Sequence, residues 1–126
     1  MSNIKICVEQ AKHFTTYIFV GEVSVEQIIS AQEEFYSKVP MLFLLVDFTQ
    51  ADLSVLTSND LRAILSEAKK NGHVREGGKT ALVASGDLAF GMARMYAIMA
   101  EIQDLPFSVR AFRSHDEALM WLSGHD

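Results

Sequence analysis

Hydrophobic and polar positions in this chain alternate with two different periods, and the switches between them predict nine elements. Residues 5–8 are short and apolar-rich, and residues 13–20 are dense in β-branched and aromatic side chains. Both fit strands, joined as a hairpin across residues 9–12. Gly21 punctuates. Ser24 then opens a capping box with Gln27: the hydroxyl is placed to accept an amide bond while Gln27 reaches back. Val25, Ile28, Ile29, Gln32, Phe35 and Tyr36 follow at helical spacing, and the helix ends before Pro40.

Residues 41–48 form an uninterrupted apolar run, the pattern of a strand buried on both faces. Thr57, three before Asp60, starts a second helix through Leu61, Ile64, Leu65 and Ala68, with Asn71 and Gly72 as its stop. Residues 73–79, basic and glycine-rich, fit an exposed connector. Residues 79–84 are the next buried strand, and Gly86-Asp87 introduces a long helix to about Gln103. After Leu105-Pro106, residues 107–112 alternate as a strand. Ser114, with Glu117 three residues on, caps a closing helix to Leu122. The order β-β-α-β-α-β-α-β-α predicts an α/β fold: a mixed, mostly parallel five-stranded sheet with four helices and right-handed crossovers. The first hairpin supplies an antiparallel edge.

The 126 residues suit one domain, and no repeat, low-complexity tract or linker divides residues 1–126. Hydrophobic residues at 49% and charged residues at 21% describe a globular chain rather than a disordered one. Eleven Lys and Arg against sixteen Asp and Glu give a formal charge of −5, which argues against a nucleic-acid partner. The single cysteine, Cys7, excludes an internal disulfide and any multi-cysteine metal site. The N-terminus starts directly with strand-like alternation, and no apolar run approaches the roughly 20 residues that span a bilayer. The cytoplasm is the expected location.

Three stretches carry a resemblance. They are LLVDFTQADLSVLTSNDLRAIL, KTALVASGDLAFGMARMYAIMAE and FSVRAFRSHDEALMWL. A buried strand ends in Val-Asp. A second strand leads into Gly-hinge-aromatic-Gly and Ala-Arg-Met. An Arg-x-Phe strand then precedes Glu-Ala-x-x-Trp-Leu. Together these resemble the SpoIIAA-like proteins of the STAS superfamily, which implies a largely parallel sheet flanked by helices. Better-known relatives are antagonists of anti-sigma factors, carrying a serine in an Asp-Ser-Ser-Gly-type turn that a partner kinase phosphorylates. The corresponding turn here is Leu56-Thr57-Ser58-Asn59-Asp60: the hydroxyls are present, but the preceding acid and following glycine are not. Similarity of the fold to small CRAL-TRIO lipid-binding domains further implies an apolar ligand or membrane contact.

In a parallel sheet the loops after the strands converge on one edge, where ligands tend to sit. That edge should gather Asp47, Thr49, Thr57, Ser58, Ser85, Gly86, Asp87 and Ser114, with Asp47, Ser85 and Asp87 as a strand-end cleft and Thr57 or Ser58 as phosphoacceptor at a helix start. Thr57 and Ser114 also serve as ordinary N-caps, each worth about 1 kcal/mol, and Asp47 and Asp87 have ordinary capping roles as well.

The third helix is apolar on more than one face, and a broad apolar stripe needs a second burial partner. Phe35, Tyr36, Phe90, Met92, Met95, Tyr96 and Met99 are the expected ligand-lining residues, with the first and third helices as a gate. Further core, or a homodimer interface, would equally cover the stripe. His13, His73, His115 and His125 show no metal-ligand spacing, and Ser85-Gly86 lacks the flanking glycine of a nucleophile elbow. No catalytic set, cofactor or metal site is therefore expected.

The sequence thus points to a non-enzymatic module binding an apolar or amphipathic, lipid-like molecule, with possible membrane contact in the periphery. The alternative is a STAS-type regulatory protein–protein interaction module with Thr57 or Ser58 as its phosphoacceptor.

Overall fold

The computed structural model describes residues 5–10, 14–38 and 42–124. Its strands are β1 (Lys5–Gln10), β2 (Phe14–Glu22), β3 (Phe43–Asp52), β4 (Lys79–Val83) and β5 (Ser108–Phe112). Its helices are α1 (Val25–Ser37), α2 (Ser58–Asn71), α3 (Asp87–Ile102) and α4 (His115–Leu122), with a 3₁₀ turn at Gly72–Arg75. Residues 11 and 12 of the expected hairpin turn, together with Pro40, Met41, His13 and His125, lie outside the described residues.

The strand order is β1-β2-β3-β4-β5. The parallel sheet runs through four strands, β2 to β5, and β1 pairs antiparallel along the outer side of β2. Because sequence neighbours are also sheet neighbours, crossovers of one hand place α1, α2 and α3 on one face. α4 follows the last strand and covers the other face.

Period-two alternation along β3 divides its side chains between two cores. Leu44, Val46 and Phe48 join Tyr17, Phe19 and Leu82 in the larger one. Leu45 packs with Ala81, Val83 and Trp121 in the smaller one under α4. The expectation of a doubly buried strand holds, although β3 runs on to Asp52 beside β2 after β4 has ended.

Helix starts follow the capping residues. Gln27 N–H donates to Ser24 Oγ at 3.3 Å while Ser24 N–H donates to Gln27 Oε1 at 2.8 Å. Asp60 N–H donates to Thr57 Oγ1 at 3.1 Å, and Thr57 N–H donates to Asp60 Oδ2 at 3.0 Å. Glu117 N–H donates to Ser114 Oγ at 3.1 Å. Leu61, Ile64, Leu65 and Ala68, the periodic positions of α2, are all buried. α2 packs against both α1 and α3 and lies between their backbones, while the side chains of Tyr36 on α1 and Tyr96 on α3 belong to one core cluster.

The connector after α2 departs most from the sequence reading. Arg75 is 1% exposed and is the largest fully buried side chain described. Gly77, at φ +83°, and Gly78 turn the chain into β4 beside β3. A Cβ on Gly78 would collide with the carbonyl oxygen of Leu42. Gly78 N–H donates to Arg75 O at 2.8 Å, and Lys79 N–H donates to Leu42 O at 3.0 Å, which fixes the start of β4 against β3. His73 and Val74 remain exposed.

Candidate functional site

Most of the predicted site residues fall into two places, the carboxyl edge of the sheet and a cavity over its larger core face. The first is the carboxyl edge, where α2 and α3 begin. Thr57 and Ser58 are exposed there, with Thr57 as N-cap and Ser58 as the first helical residue. Ser85 and Asp87 are exposed at the start of α3. Arg113, which the sequence reading did not single out, ties this corner together. Its Nη1 donates to Asp87 Oδ1 at 3.0 Å and to Ser85 O at 3.3 Å, and its guanidinium lies 4.2 Å from the Phe90 ring centroid.

Asp47 does not join that cleft. It sits inside β3, is 8% exposed, and its Oδ1 accepts from Thr49 N–H at 2.8 Å and Thr49 Oγ1 at 2.7 Å. The expected strand end lies five residues further on, at Asp52. Asp52 Oδ1 accepts from Ser54 N–H at 2.9 Å, and hydrogen bonding to Ser54 holds the Asp52 carboxyl below its ordinary range. Exposed apolar side chains border the edge: Val55 is 49% exposed and Leu88 58%.

The second place is a cavity of about 110 Å³ between the helices and the larger core face of the sheet. Leu61, Ile64 and Ala68 of α2 roof it, and Leu44, Val46, Leu82 and Val109 form its floor. Of the residues expected to line a ligand pocket, Phe35, Tyr36, Met92 and Tyr96 lie in its wall. Phe90 is half-buried at the α3 start, and Met99 is half-buried outside the wall. Met95 is 44% exposed and faces outward with Leu88, Ile98 and Ile102, at successive spacings of seven, three and four residues, as one side of α3 requires. The broad apolar character of α3 thus serves two faces: Met92, Ala93 and Tyr96 toward the cavity, and an unpartnered outer stripe.

The polar end of the cavity lies near the amino ends of the strands, where α1 finishes and β4 starts. Arg75 Nη1 donates to the Tyr36 hydroxyl at 3.3 Å, and Nη2 donates to Leu42 O at 2.9 Å and Lys79 O at 3.0 Å. The guanidinium also lies 4.4 Å from the Phe107 ring centroid and 5.4 Å from that of Phe35. Burial pulls the Arg75 pKa down, and the Tyr36 and Tyr96 phenols partly offset that. Burial and Tyr36 push the Tyr96 phenol well above its ordinary value, against the favourable charge of Arg75. Two further polar atoms in wall residues, Gln32 Oε1 and Thr80 Oγ1, are buried without a hydrogen-bond partner among the described residues. Gln32 is oriented by its Nε2, which donates to Ile64 O at 3.1 Å.

Among the described residues, no group of three or more His, Cys, Asp and Glu side chains is placed to hold a metal ion. Nor is any helix long and apolar enough to cross a membrane.

No protein-family model matches the chain, and no curated protein matches it significantly. Solved structures do. The chain is similar to an uncharacterized protein of the DUF3478 family with a SpoIIAA-like fold from Shewanella loihica PV-4, at 23% identity and a TM-score of 0.59. That match covers 97% of this chain and 95% of the other. It is also similar to an anti-sigma factor antagonist from Mycobacterium paratuberculosis, at 18% identity and a TM-score of 0.63, over 96% of this chain and 95% of that one. With its strand order, its helix placement and these likenesses, the chain has a SpoIIAA-like, STAS-type fold.

Proposed function

We propose that this domain is a non-enzymatic regulatory module that works by protein–protein contact at the carboxyl edge of the sheet. The observation that carries this reading is the exposed edge itself, where Val55 and Leu88 flank the hydroxyls of Thr57 and Ser58 and the Asp87–Arg113 pair. An anti-sigma factor antagonist with the same fold is consistent with it.

Physical chemistry favours Ser58 over Thr57 as phosphoacceptor. The Thr57 hydroxyl already accepts the Asp60 amide, and the Asp60 carboxylate, which accepts from the Thr57 amide, would repel a phosphate placed there. Ser58 stands one residue inside the helix, where a phosphate of about −1.5 to −2 charges can accept the open amides of the first turn. Phosphorylation then adds a strong negative charge beside the exposed apolar side chains of Val55 and Leu88. The outer stripe of α3, Leu88, Met95, Ile98 and Ile102, extends the contact surface for a protein partner, a second copy of the chain included.

The reading is tested by affinity capture from the cells that make the protein, using wild type, Leu88→Asp and Ser58→Asp. One stoichiometric protein partner held by wild type and lost by both variants supports it. No partner, or equal retention by all three, contradicts it.

A ligand-binding reading keeps a specific observation, the cavity beneath α2, but not in its lipid-like form. Pockets for drug-sized ligands run to about 300–1,000 Å³, and this cavity of about 110 Å³ has no room for an acyl chain. Met95, expected to line the ligand opening, lies on the outer face of α3 instead.

A further inference from the structure

We infer that the outer stripe of α3 pairs with the same stripe on a second copy of the chain, the two helices running antiparallel about a two-fold axis. The inference rests on the reading of that stripe as a contact surface, and it needs neither phosphate at Ser58 nor a different protein partner.

Three observations carry it. The first is spacing. Leu88, Gly91, Met95, Ile98 and Ile102 follow one another at three, four, three and four residues, the spacing of a seam between two helices. All five are exposed, Ile102 the most at 74%.

The second is Gly91. It lies inside α3, where glycine weakens a helix relative to alanine. A Cβ placed there would meet nothing within 4 Å, so packing within the chain does not demand a glycine. What the glycine provides is a notch in an apolar stripe, and a notch of that kind admits a large side chain from a facing helix.

The third is charge. Arg94 and Glu101 are exposed on one flank of the stripe, seven residues apart, which is about two helical turns. Neither forms an ion pair with another described residue. The opposite flank, Met92 and Met99, is half-buried and uncharged.

These features select the orientation. In a parallel pair, Gly91 would face Gly91 across a gap, and Arg94 would meet Met99 instead of a carboxylate. In an antiparallel pair, with the axis between Met95 and Ile98, Ile102 of each copy enters the notch at Gly91 of the other. Met95 of each packs on Ile98 of the other, and Arg94 of each reaches Glu101 of the other. Every contact is made twice, as a self-complementary two-fold interface requires. Leu88 lies beyond the last of these pairs, next to the carboxyl edge, and stays open to a different partner.

The 16 residues of α3 span about 24 Å, and one helix pair of that length buries less than a standard interface. The dimer is therefore a weak one, with a dissociation constant on the order of micromolar to tens of micromolar. Exposed ion pairs at its flank add little affinity but decide which orientation is allowed.

Sedimentation equilibrium of the purified full chain, from about 1 to about 200 µM, reads the association directly. The inference expects a monomer–dimer equilibrium within that range. Ile102→Glu, at an exposed position, should weaken it at least about tenfold while leaving the urea midpoint of the monomer in place. Arg94→Glu sets acid against acid across the interface, and Glu101→Arg sets base against base. Each alone should weaken association about tenfold. An equimolar mixture of the two should associate again, because each variant supplies the charge that the other lacks. A wild-type chain that stays monomeric, a dimer indifferent to Ile102→Glu, or a mixture no tighter than its separate components would overturn the inference. No other protein is present in this experiment, so a monomeric result would leave capture of a different partner at the carboxyl edge as a separate outcome.

Discussion

Arg75 and Tyr36, 39 residues apart in sequence, meet as guanidinium and phenol, with Nη1 donating to the Tyr36 hydroxyl at 3.3 Å. That contact joins the end of α1 to the turn before β4, and the other guanidinium nitrogen joins the same turn to the residue before β3. One buried cation thereby holds together three segments that the parallel topology brings to the amino edge of the sheet. Arg75→Lys should cost about 2–4 kcal/mol, because a single ammonium cannot reproduce the planar fork and leaves buried carbonyls unmet. Urea unfolding of the two proteins measures it, and a change within about 0.5 kcal/mol would reduce Arg75 to a spectator.

Thr80→Val should move stability the other way. The hydroxyl of Thr80 is buried, 6% exposed by residue, and has no partner among the described residues. Replacing it with a methyl of the same shape removes a desolvated polar group and suits a central strand. The expected gain is about 1 kcal/mol by urea midpoint. A loss of similar size would mean that the hydroxyl has a partner in solution.

The two hydroxyls at the start of α2 should respond differently. Thr57→Ala removes the acceptor for the Asp60 amide and should cost about 1 kcal/mol. Ser58→Asp places a negative charge in the first turn and should be neutral or stabilising by up to about 1 kcal/mol. Equal destabilisation by both would show that the Ser58 side chain is not free to carry charge.

Alkaline pH should weaken the fold. Burial, with the nearby Glu34 carboxylate adding to it, pushes the Tyr17 phenol from 10.0 up to about 12, and its hydroxyl donates to Glu34 Oε1 at 3.4 Å. A folded-state pKa above the unfolded one means that the native state holds the proton more tightly. Its contribution is complete below the unfolded pKa near 10.0 and is lost as pH rises through about 12. Tyr96, shifted in the same direction by burial, adds to the loss. Urea midpoints should therefore be flat from neutral pH to near 10 and fall above it, less steeply in Tyr17→Phe. An unchanged fall in Tyr17→Phe would assign the effect to other groups.

Most of the architecture was legible because it rests on periodic signals. The spacing of Leu61, Ile64, Leu65 and Ala68 gave both the helix and its buried face, and Ser24 with Gln27 marked a helix start that forms as a reciprocal cap. Period alone could not divide the apolar surface of α3 between a cavity wall and an outer stripe, since both are satisfied by the same residue types. Met92 and Met95 differ only in which side of the helix the tertiary packing covers. Arg75 was hidden for another reason. A lone charged residue in a glycine-rich connector carries no periodicity, and its burial follows from the turn at Gly77 and the close approach at Gly78. Two consecutive glycines just after an arginine were the available signal. Asp47 misled because strand β3 continues past β4, which a run of apolar residues ending at Phe48 does not announce.

Phosphopeptide mapping tests the regulatory account most directly. The full chain would be incubated with ATP and a lysate of the cells that make it, then digested and analysed by mass spectrometry. The account predicts phosphate on Ser58 and its loss in Ser58→Ala, with Thr57 unmodified. Phosphate on neither residue, or a modification elsewhere that alone controls partner binding, would contradict it.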